Sequence, residues 1–253
     1  TACGTVPTVY RQMAPIAGQY DLSSLKYAVS SGERLPDETR RMFRNATGRE
    51  LIDGLGSTEL ILVVISHSPE RMRQGATGYV MPGCRGVVLD DRGQPCPAGV
   101  VGQLAIKGPN GCLYLDDARQ KQYVQGGWNL TGDAFSTDDH GYFYSHGRID
   151  DLIISAGNNI SAVEVESTLL EHEAVAECAV VGIADEERGQ VVKAFVVLKP
   201  GVEANEQTKK ELQDFSKTRI APYKYPRHVE FVSTLPRNQT GKVQRFMLRK
   251  QGQ

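Results

Sequence analysis

The sequence predicts an α/β protein with a small antiparallel β-barrel subdomain, followed by a second, smaller α+β domain. Three observations carry that prediction. Over residues 1–53 helix-like and strand-like patterns alternate, which implies a parallel sheet. From Gly75 to Gly147 the texture changes to short strands separated by Gly, Pro and Asp, as in a curled antiparallel sheet. Beyond Asp150 the α/β pattern returns over enough chain to close a separate core. The expected division is residues 1–149, comprising an α/β sheet region over residues 1–74 and a barrel region over residues 75–149, and then residues 150–253.

Taken in order, residues 7–13 begin with a proline suited to a first helical turn, and residues 25–30 form an apolar strand. Residues 36–47 read as a helix with Pro36 near its first turn and Gly48 just past its end. Leu51-Ile52 opens another short strand. In a parallel sheet ligands sit beyond the carboxyl ends of the strands, and Ser31-Gly32-Glu33 and Gly54-Leu55-Gly56-Ser57-Thr58-Glu59 both fall there. The apolar run Leu60 to Ile65 reads as core, with residues 60–63 open to bordering a ligand pocket.

In the barrel region, strands at 86–89 and 101–107 flank the turn Asp90-Asp91-Arg92-Gly93. A second hairpin runs from Ala134 through Asp138-Asp139-His140-Gly141 to Tyr144, its polar turn read as a solvated tip. The last domain should contain a helix at 162–171, strands at 177–183, 191–198 and 228–232, a helix at 206–218 and a final helix near Arg245.

Composition narrows the function classes. A formal net charge of -1 and a pI near 6.5 supply no global field for nucleic acid or an acidic membrane, so any anion site must be local. Five cysteines at irregular spacing, with no C-x-x-C pair, argue against a disulfide framework or a structural zinc site and point to a reducing cytoplasm. The longest apolar run is too short to span a bilayer. No G-x-x-x-x-G-K-[ST] loop, G-x-S-x-G elbow or H-E-x-x-H pair occurs. The Glu-rich stretch 164–173 reads as a solvated helix face.

The stretch GRIDDLIISAGNNISAVEVE, residues 147–166, organises the chain. Arg148, Asp150 and Asp151 stand at the mouth of the apolar strand Leu152-Ile153-Ile154. Next comes the polar loop Ser155-Ala156-Gly157-Asn158-Asn159, and Ser161 with Glu164 forms an S-x-x-E capping box. Alone, this is an ordinary strand-loop-helix connection. With Ser31-Gly32-Glu33, GLGSTE at 54–59, Thr131-Gly132-Asp133 and PRNQTGK at 236–242, in that order and spacing, it resembles the adenylate-forming superfamily of acyl-CoA synthetases, adenylation domains and luciferases.

The resemblance covers nearly the whole chain and implies a set of roles. Residues 1–149 would be the C-terminal portion of the large AMP-binding domain and 150–253 the mobile C-terminal domain. Lys242 matches the adenylation lysine, whose compact ammonium suits two anions brought together. Thr58 would donate to a phosphate oxygen and Glu59 would hold Mg2+. Ser31, Gly32, Glu33, Asp53, Gly54, Leu55, Gly56 and Ser57 would line the nucleotide, with Leu55 standing where an aromatic residue usually stacks on adenine. Asp133 would accept the ribose hydroxyls and Arg148 would bond ribose or phosphate. Asp150 matches the hinge about which the family rotates its C-terminal domain between adenylation and thioester formation. Gly157 would then leave room for the pantetheine arm of CoA, with Lys224 and Arg227 toward its phosphates.

Within the superfamily, DGLGSTEL at 53–60, AECAVVGIADEERGQVVKAFVVLKPG at 176–201 and IAPYKYPR at 220–227 are closest to benzoate and 2-aminobenzoate CoA ligases. The implied activity is AMP-forming ligation of an aromatic acid to CoA, using ATP and Mg2+, with no nucleic acid partner, no membrane span and homo-oligomerisation left open. Medium-chain fatty acyl-CoA synthesis, loading of a carrier protein, and a non-catalytic nucleotide-binding scaffold are the alternatives. Family members carry a phosphate loop and much of the acyl pocket upstream of the point matched by Thr1, so the chain reads as a piece of a longer ligase whose activity alone is uncertain.

Overall fold

The computed structural model describes residues 1–239 and 241–251. The chain divides into two compact units, Thr1–Ile149 and Asp150–Gln253.

In the first unit, β1 (Ala2–Thr5), β2 (Tyr27–Ser31) and β3 (Leu51–Gly56) run parallel, connected through α1 (Pro7–Met13) and α2 (Asp37–Thr47). Helix α2 starts after Pro36 with Asp37 and Glu38 in its first turn, and ends where Gly48 turns left-handed and its N–H bonds the Arg44 carbonyl at 2.8 Å. Tyr10 and Phe43 meet edge-to-face at 4.9 Å and lock α1 and α2 over the sheet with Leu25, Ala28, Leu35 and Leu51.

The sheet is not wholly parallel as the sequence suggests: β4 (Val63–Ser66) and β5 (Tyr79–Val80) pair antiparallel beyond β3. The six residues between β3 and β4 are too few for a parallel crossover, so the chain can only turn back. The apolar run also divides: Leu60 is core, whereas Ile61 is 75% exposed.

The second sheet of this unit is antiparallel, in the order β10-β9-β7-β6: β6 (Arg85–Leu89), β7 (Gly102–Lys107), β9 (Trp128–Thr137) and β10 (Phe143–Arg148). A short helix α3 (Gln120–Tyr123) leads into β8 (Val124–Gln125), which pairs with β9. Val64 and Ile65 from the first sheet, with Leu60 from the turn before β4, pack against Val88, Leu104, Ile106, Phe135 and Phe143 from the second. The expected solvated tip at Asp138 is a folded turn. Its carboxylate accepts the N–H groups of His140 and Tyr142 and the Tyr144 hydroxyl, and pairs with Arg73.

The second unit is one mixed sheet, built from β11 (Leu152–Ser155), β12 (Asn158–Ser161), β13 (Val175–Asp185), β14 (Gly189–Leu198) and β15 (His228–Phe231). It carries α4 (Ala162–Leu170), α5 (Glu206–Arg219) and α6 (Arg245–Gln251). Ser161 caps α4 by accepting the Glu164 N–H at 3.2 Å. The predicted polar loop 155–159 is a tight hairpin joining β11 to β12 through Ala156 and Gly157, both at positive φ, as a type I′ two-residue turn requires. Strand β11 is buried on one face only: Ile153 is core and Ile154 is 58% exposed. The Glu-rich helix face is not uniformly solvated either, because Glu166 is buried and bonded to Arg245.

Candidate active site

Parallel pairing sets Ser31 opposite Gly54 and Ser30 opposite Asp53, so the segments after β2 and β3 leave the same end of the sheet side by side. Ser31 and Glu33 are half-buried around Gly32, which sits at φ 88°. Gly54 and Gly56 lie within β3 rather than in a turn. A Cβ on Gly56 would stand 2.7 Å from the Leu62 carbonyl oxygen, so the return of the chain into β4 requires glycine there. Leu55 is half-buried against the core that joins the two sheets. Thr58 is exposed at the following turn, in which the Ser57 carbonyl accepts the N–H groups of Leu60 and Ile61. Ile61 holds φ 61°, a conformation β-branched residues seldom adopt.

Asp53 is buried at the sheet's core edge. Its N–H donates to His67 Nε2 at 3.1 Å, which assigns the imidazole proton to Nδ1, facing the Ser68 carbonyl at 3.2 Å. Burial holds His67 below the usual histidine range. Burial also pushes the Asp53 carboxyl up to about 7, against the charge of Arg40 and the Gly54 N–H at 3.0 Å. The folded protein therefore keeps this proton between about pH 4 and 7 while the unfolded chain loses it, so Asp53 lowers stability progressively across that window as pH rises. Asp53→Asn is expected to stabilise the first unit by about 1–2 kcal/mol at pH 8, with the gain vanishing near pH 4. Trp128, the single tryptophan, lies in this unit, so urea unfolding followed by its fluorescence at several pH values checks the trend. A gain that grew toward acid pH would contradict it.

Glu59 accepts the Tyr114 hydroxyl at 2.9 Å, and the Tyr114 N–H is anchored on Gln120 Oε1 at 2.8 Å. Partial burial works to raise the Glu59 carboxyl. It is outweighed by hydrogen bonds from the residue's own N–H, Tyr114 and Ser57 and by the charge of Arg148, so the group lies below its ordinary value. Desolvation and the neighbouring carboxylate push the Tyr114 phenol up to about 12. Tyr114 is absent from the sequence-predicted set; its segment, residues 108–117, has no periodicity to mark it.

Thr131-Gly132-Asp133, a turn by composition, lies in the middle of β9. Gln103 pairs with Ala134 and Ala105 with Leu130, so these three residues bulge opposite Leu104 alone. The bulge aims Asp133 at Arg148, its direct partner across β10. Arg148 Nη1 reaches Asp133 Oδ1 at 3.1 Å and the Thr131 carbonyl at 2.8 Å. A Cβ on Gly132, at φ 73°, would stand 2.6 Å from Arg148 Nη2, so the guanidinium lies where only glycine permits it. The first unit thus sets Asp133 against Arg148, whose charge also lowers the Glu59 carboxyl.

In the second unit Asp150 is exposed at the first turn, and Gly157 stands in open space at its hairpin tip. Lys224 is engaged by both Glu164 carboxylate oxygens, at 2.7 and 2.8 Å, rather than standing on a solvated basic edge. The Tyr225 ring has Lys217 at 4.6 Å and Arg227 at 5.0 Å. Lys242 is exposed on the segment after β15; within its motif, Thr240 lies outside the described residues. The structure describes the Lys242 and Gly157 neighbourhoods within the second unit and those of Glu59 and Asp133 within the first.

Comparison with known proteins adds identity to this geometry. Residues 1–113 match the AMP-binding enzyme family and residues 164–242 match the AMP-binding enzyme C-terminal domain. The chain is 39% identical over 249 residues to a benzoate–CoA ligase of Thauera aromatica, covering 96% of this chain and 47% of that protein. It is 39% identical over 256 residues to a mitochondrial acyl-coenzyme A synthetase of Mus musculus, covering 97% of this chain and 44% of that protein. Among solved structures, an anthranilate CoA ligase in complex with anthranoyl-AMP superposes with a TM-score of 0.94 at 38% identity, covering 100% of this chain and 50% of that one. The chain therefore spans about half the length of its relatives. It belongs to the AMP-binding, adenylate-forming enzymes.

Proposed function

We propose that this chain is the C-terminal portion of an AMP-forming acid–CoA ligase acting on an aromatic acid of the benzoate or 2-aminobenzoate type. One observation carries the reading: the β9 bulge sets Asp133 against Arg148 at the end of β10, and the Arg148 charge also acts on Glu59. A carboxylate able to accept a ribose diol, a guanidinium for phosphate and a second carboxylate for a metal are what an adenylating site needs. The similarity to a benzoate–CoA ligase and to an anthranilate CoA ligase supports the choice of acid.

The chemistry has two steps. A carboxylate oxygen of the acid attacks the α-phosphorus of ATP and pyrophosphate leaves. The CoA thiol then attacks the acyl carbon and AMP leaves, its proton passing to solvent. Lys242 relieves the repulsion between the acid and the α-phosphate. In this reading Gly157 would leave room for the pantetheine arm, and Lys224 and Arg227 would serve the CoA phosphates, Lys224 by exchanging its Glu164 partner. Among the described residues no three His, Cys, Asp or Glu side chains are grouped to hold a metal. A single ionised carboxylate at Glu59 nevertheless fits Mg2+, which takes one or two carboxylates and completes its shell with water and phosphate oxygens.

The test is acyl-CoA formation from benzoate, ATP, Mg2+ and CoA, with this chain beside the same chain extended upstream through the phosphate loop. Octanoate serves as the competing acid. Benzoyl-CoA from the extended protein is the expected result. Octanoyl-CoA alone would replace the aromatic acid with a fatty one, and adenylate formation without CoA transfer would favour a carrier-loading domain.

A further inference from the structure

Residues 236–239 pair with residues 241–244, which include Lys242. The Asn238 N–H donates to the Lys242 carbonyl at 2.9 Å, the Gln244 N–H to the Pro236 carbonyl at 2.8 Å, and Arg237 pairs antiparallel with Val243. Asn238 Oδ1 accepts the Lys242 N–H at 2.9 Å. A lone two-stranded ribbon of this length is marginal in water, so its tip needs an external anchor to stay in one place.

The Arg237 side chain supplies that anchor. Its Nη1 donates to the carbonyl of Gly241, the residue before Lys242, at 2.6 Å. Its Nη2 donates to Glu177 Oε2 on β13 at 2.8 Å, 60 positions away in the chain. One planar guanidinium thus spans from the lysine tip to a strand that β14 pairs along its whole length. An ammonium on a flexible stem has no such fork, with two donors fixed in different directions.

We infer that Arg237 is a positioning residue for Lys242: its guanidinium ties the lysine-bearing tip to β13 and so fixes where the ammonium works during adenylation. The inference rests on the role proposed for Lys242. The ion pair is only partly buried, with the Glu177 side chain 40% exposed, so its contribution to folding is small and its effect falls on geometry. A misplacement of about 1 Å at a reacting group costs on the order of a hundredfold in rate.

The experiment measures two half-reactions in the upstream-extended protein, with wild type, Arg237→Gln and Arg237→Lys. These are acyl-adenylate formation from acid and ATP, and thioester formation from presynthesised acyl adenylate and CoA. Arg237→Gln is expected to slow the first by roughly tenfold to a hundredfold, through kcat with KM for ATP nearly unchanged, and to leave the second intact. Arg237→Lys should recover only a fraction of the loss. Equal losses in both half-reactions, or none in the first, would overturn the inference. In parallel, amide exchange is measured on the chain itself: Arg237→Gln should speed exchange at Gly241 and Lys242 while Val180 and Phe195 keep their protection. If the wild-type extended protein forms no adenylate, the functional reading falls on its own. The exchange result still decides whether Arg237 holds the tip, and unchanged exchange there would refute it.

Discussion

Lys242→Ala should reduce acyl-adenylate formation about 100- to 1,000-fold in the upstream-extended protein, while thioester formation from presynthesised acyl adenylate persists. The expectation comes from charge. A carboxylate attacking the α-phosphate brings two anions together, and the barrier includes their repulsion. A preorganised cationic donor removes much of it in a site that excludes water, and losing one such donor costs about 3–4 kcal/mol. Lys242 is exposed in its own unit and its side chain is not within a core, so the substitution should leave folding unchanged. Pyrophosphate release in the presence of acid and ATP reads the first step directly. Lys242→Arg restores charge in a larger, planar form and should recover only a fraction of the rate. Adenylate formation at the wild-type rate in Lys242→Ala would remove the lysine from the mechanism. An equal loss in both half-reactions would point instead to a structural effect on the whole second unit.

How far the sequence could disclose this arrangement depended on whether each signal was local. Pro36 and Gly48 frame α2 because helix ends are set by residues in contact with their own backbone, and Ser161 caps α4 for the same reason. The antiparallel return of β4 was also legible in principle, since six residues cannot carry a parallel crossover. The bulge in β9 was not. Thr131-Gly132-Asp133 has the composition of a turn, and only the register of β7, a distant segment, shows that three residues face one. Tyr114 bonds Glu59 from 55 positions away, and the hydroxyl of a tyrosine in an aperiodic loop gives no local sign of its partner. Glu166 failed for a related reason. A glutamate every few positions along a helix looks solvated until a cation from a distant segment of the chain lies against one of them.

That last residue carries the largest stability effect. Glu166 Oε1 accepts the Val180 N–H at 2.8 Å and Arg245 Nε and Nη2 at 3.2 and 2.9 Å, and Oε2 accepts Nη2 at 2.8 Å. The carboxylate side chain is 10% exposed and that of Arg245 24%. β13 lies at the end of its sheet path with β14 as its neighbour, so Glu166 also satisfies an edge N–H that would otherwise be stranded beneath α4. Glu166→Ala removes the acceptor but leaves both donors, and breaking such a pair costs about 3 kcal/mol. Arg245 opens α6, where it and Arg249 both approach Asp151, at 3.9 and 2.7 Å, so the loosening should spread from β13 to α6 and to Asp151. With two units in the chain a single unfolding free energy is ill-defined, so amide exchange is the suitable measurement. In Glu166→Ala, exchange should accelerate about 100-fold at Val180 and along α6, with the first unit unaffected. Glu166→Gln keeps an acceptor for Val180 and should lose less. Glu166→Ala combined with Arg245→Met should recover much of the loss, because the uncompensated charge goes with its partner. Strictly additive losses would show that the two side chains stabilise the unit independently. Burial of the pair is what makes non-additivity the expected result.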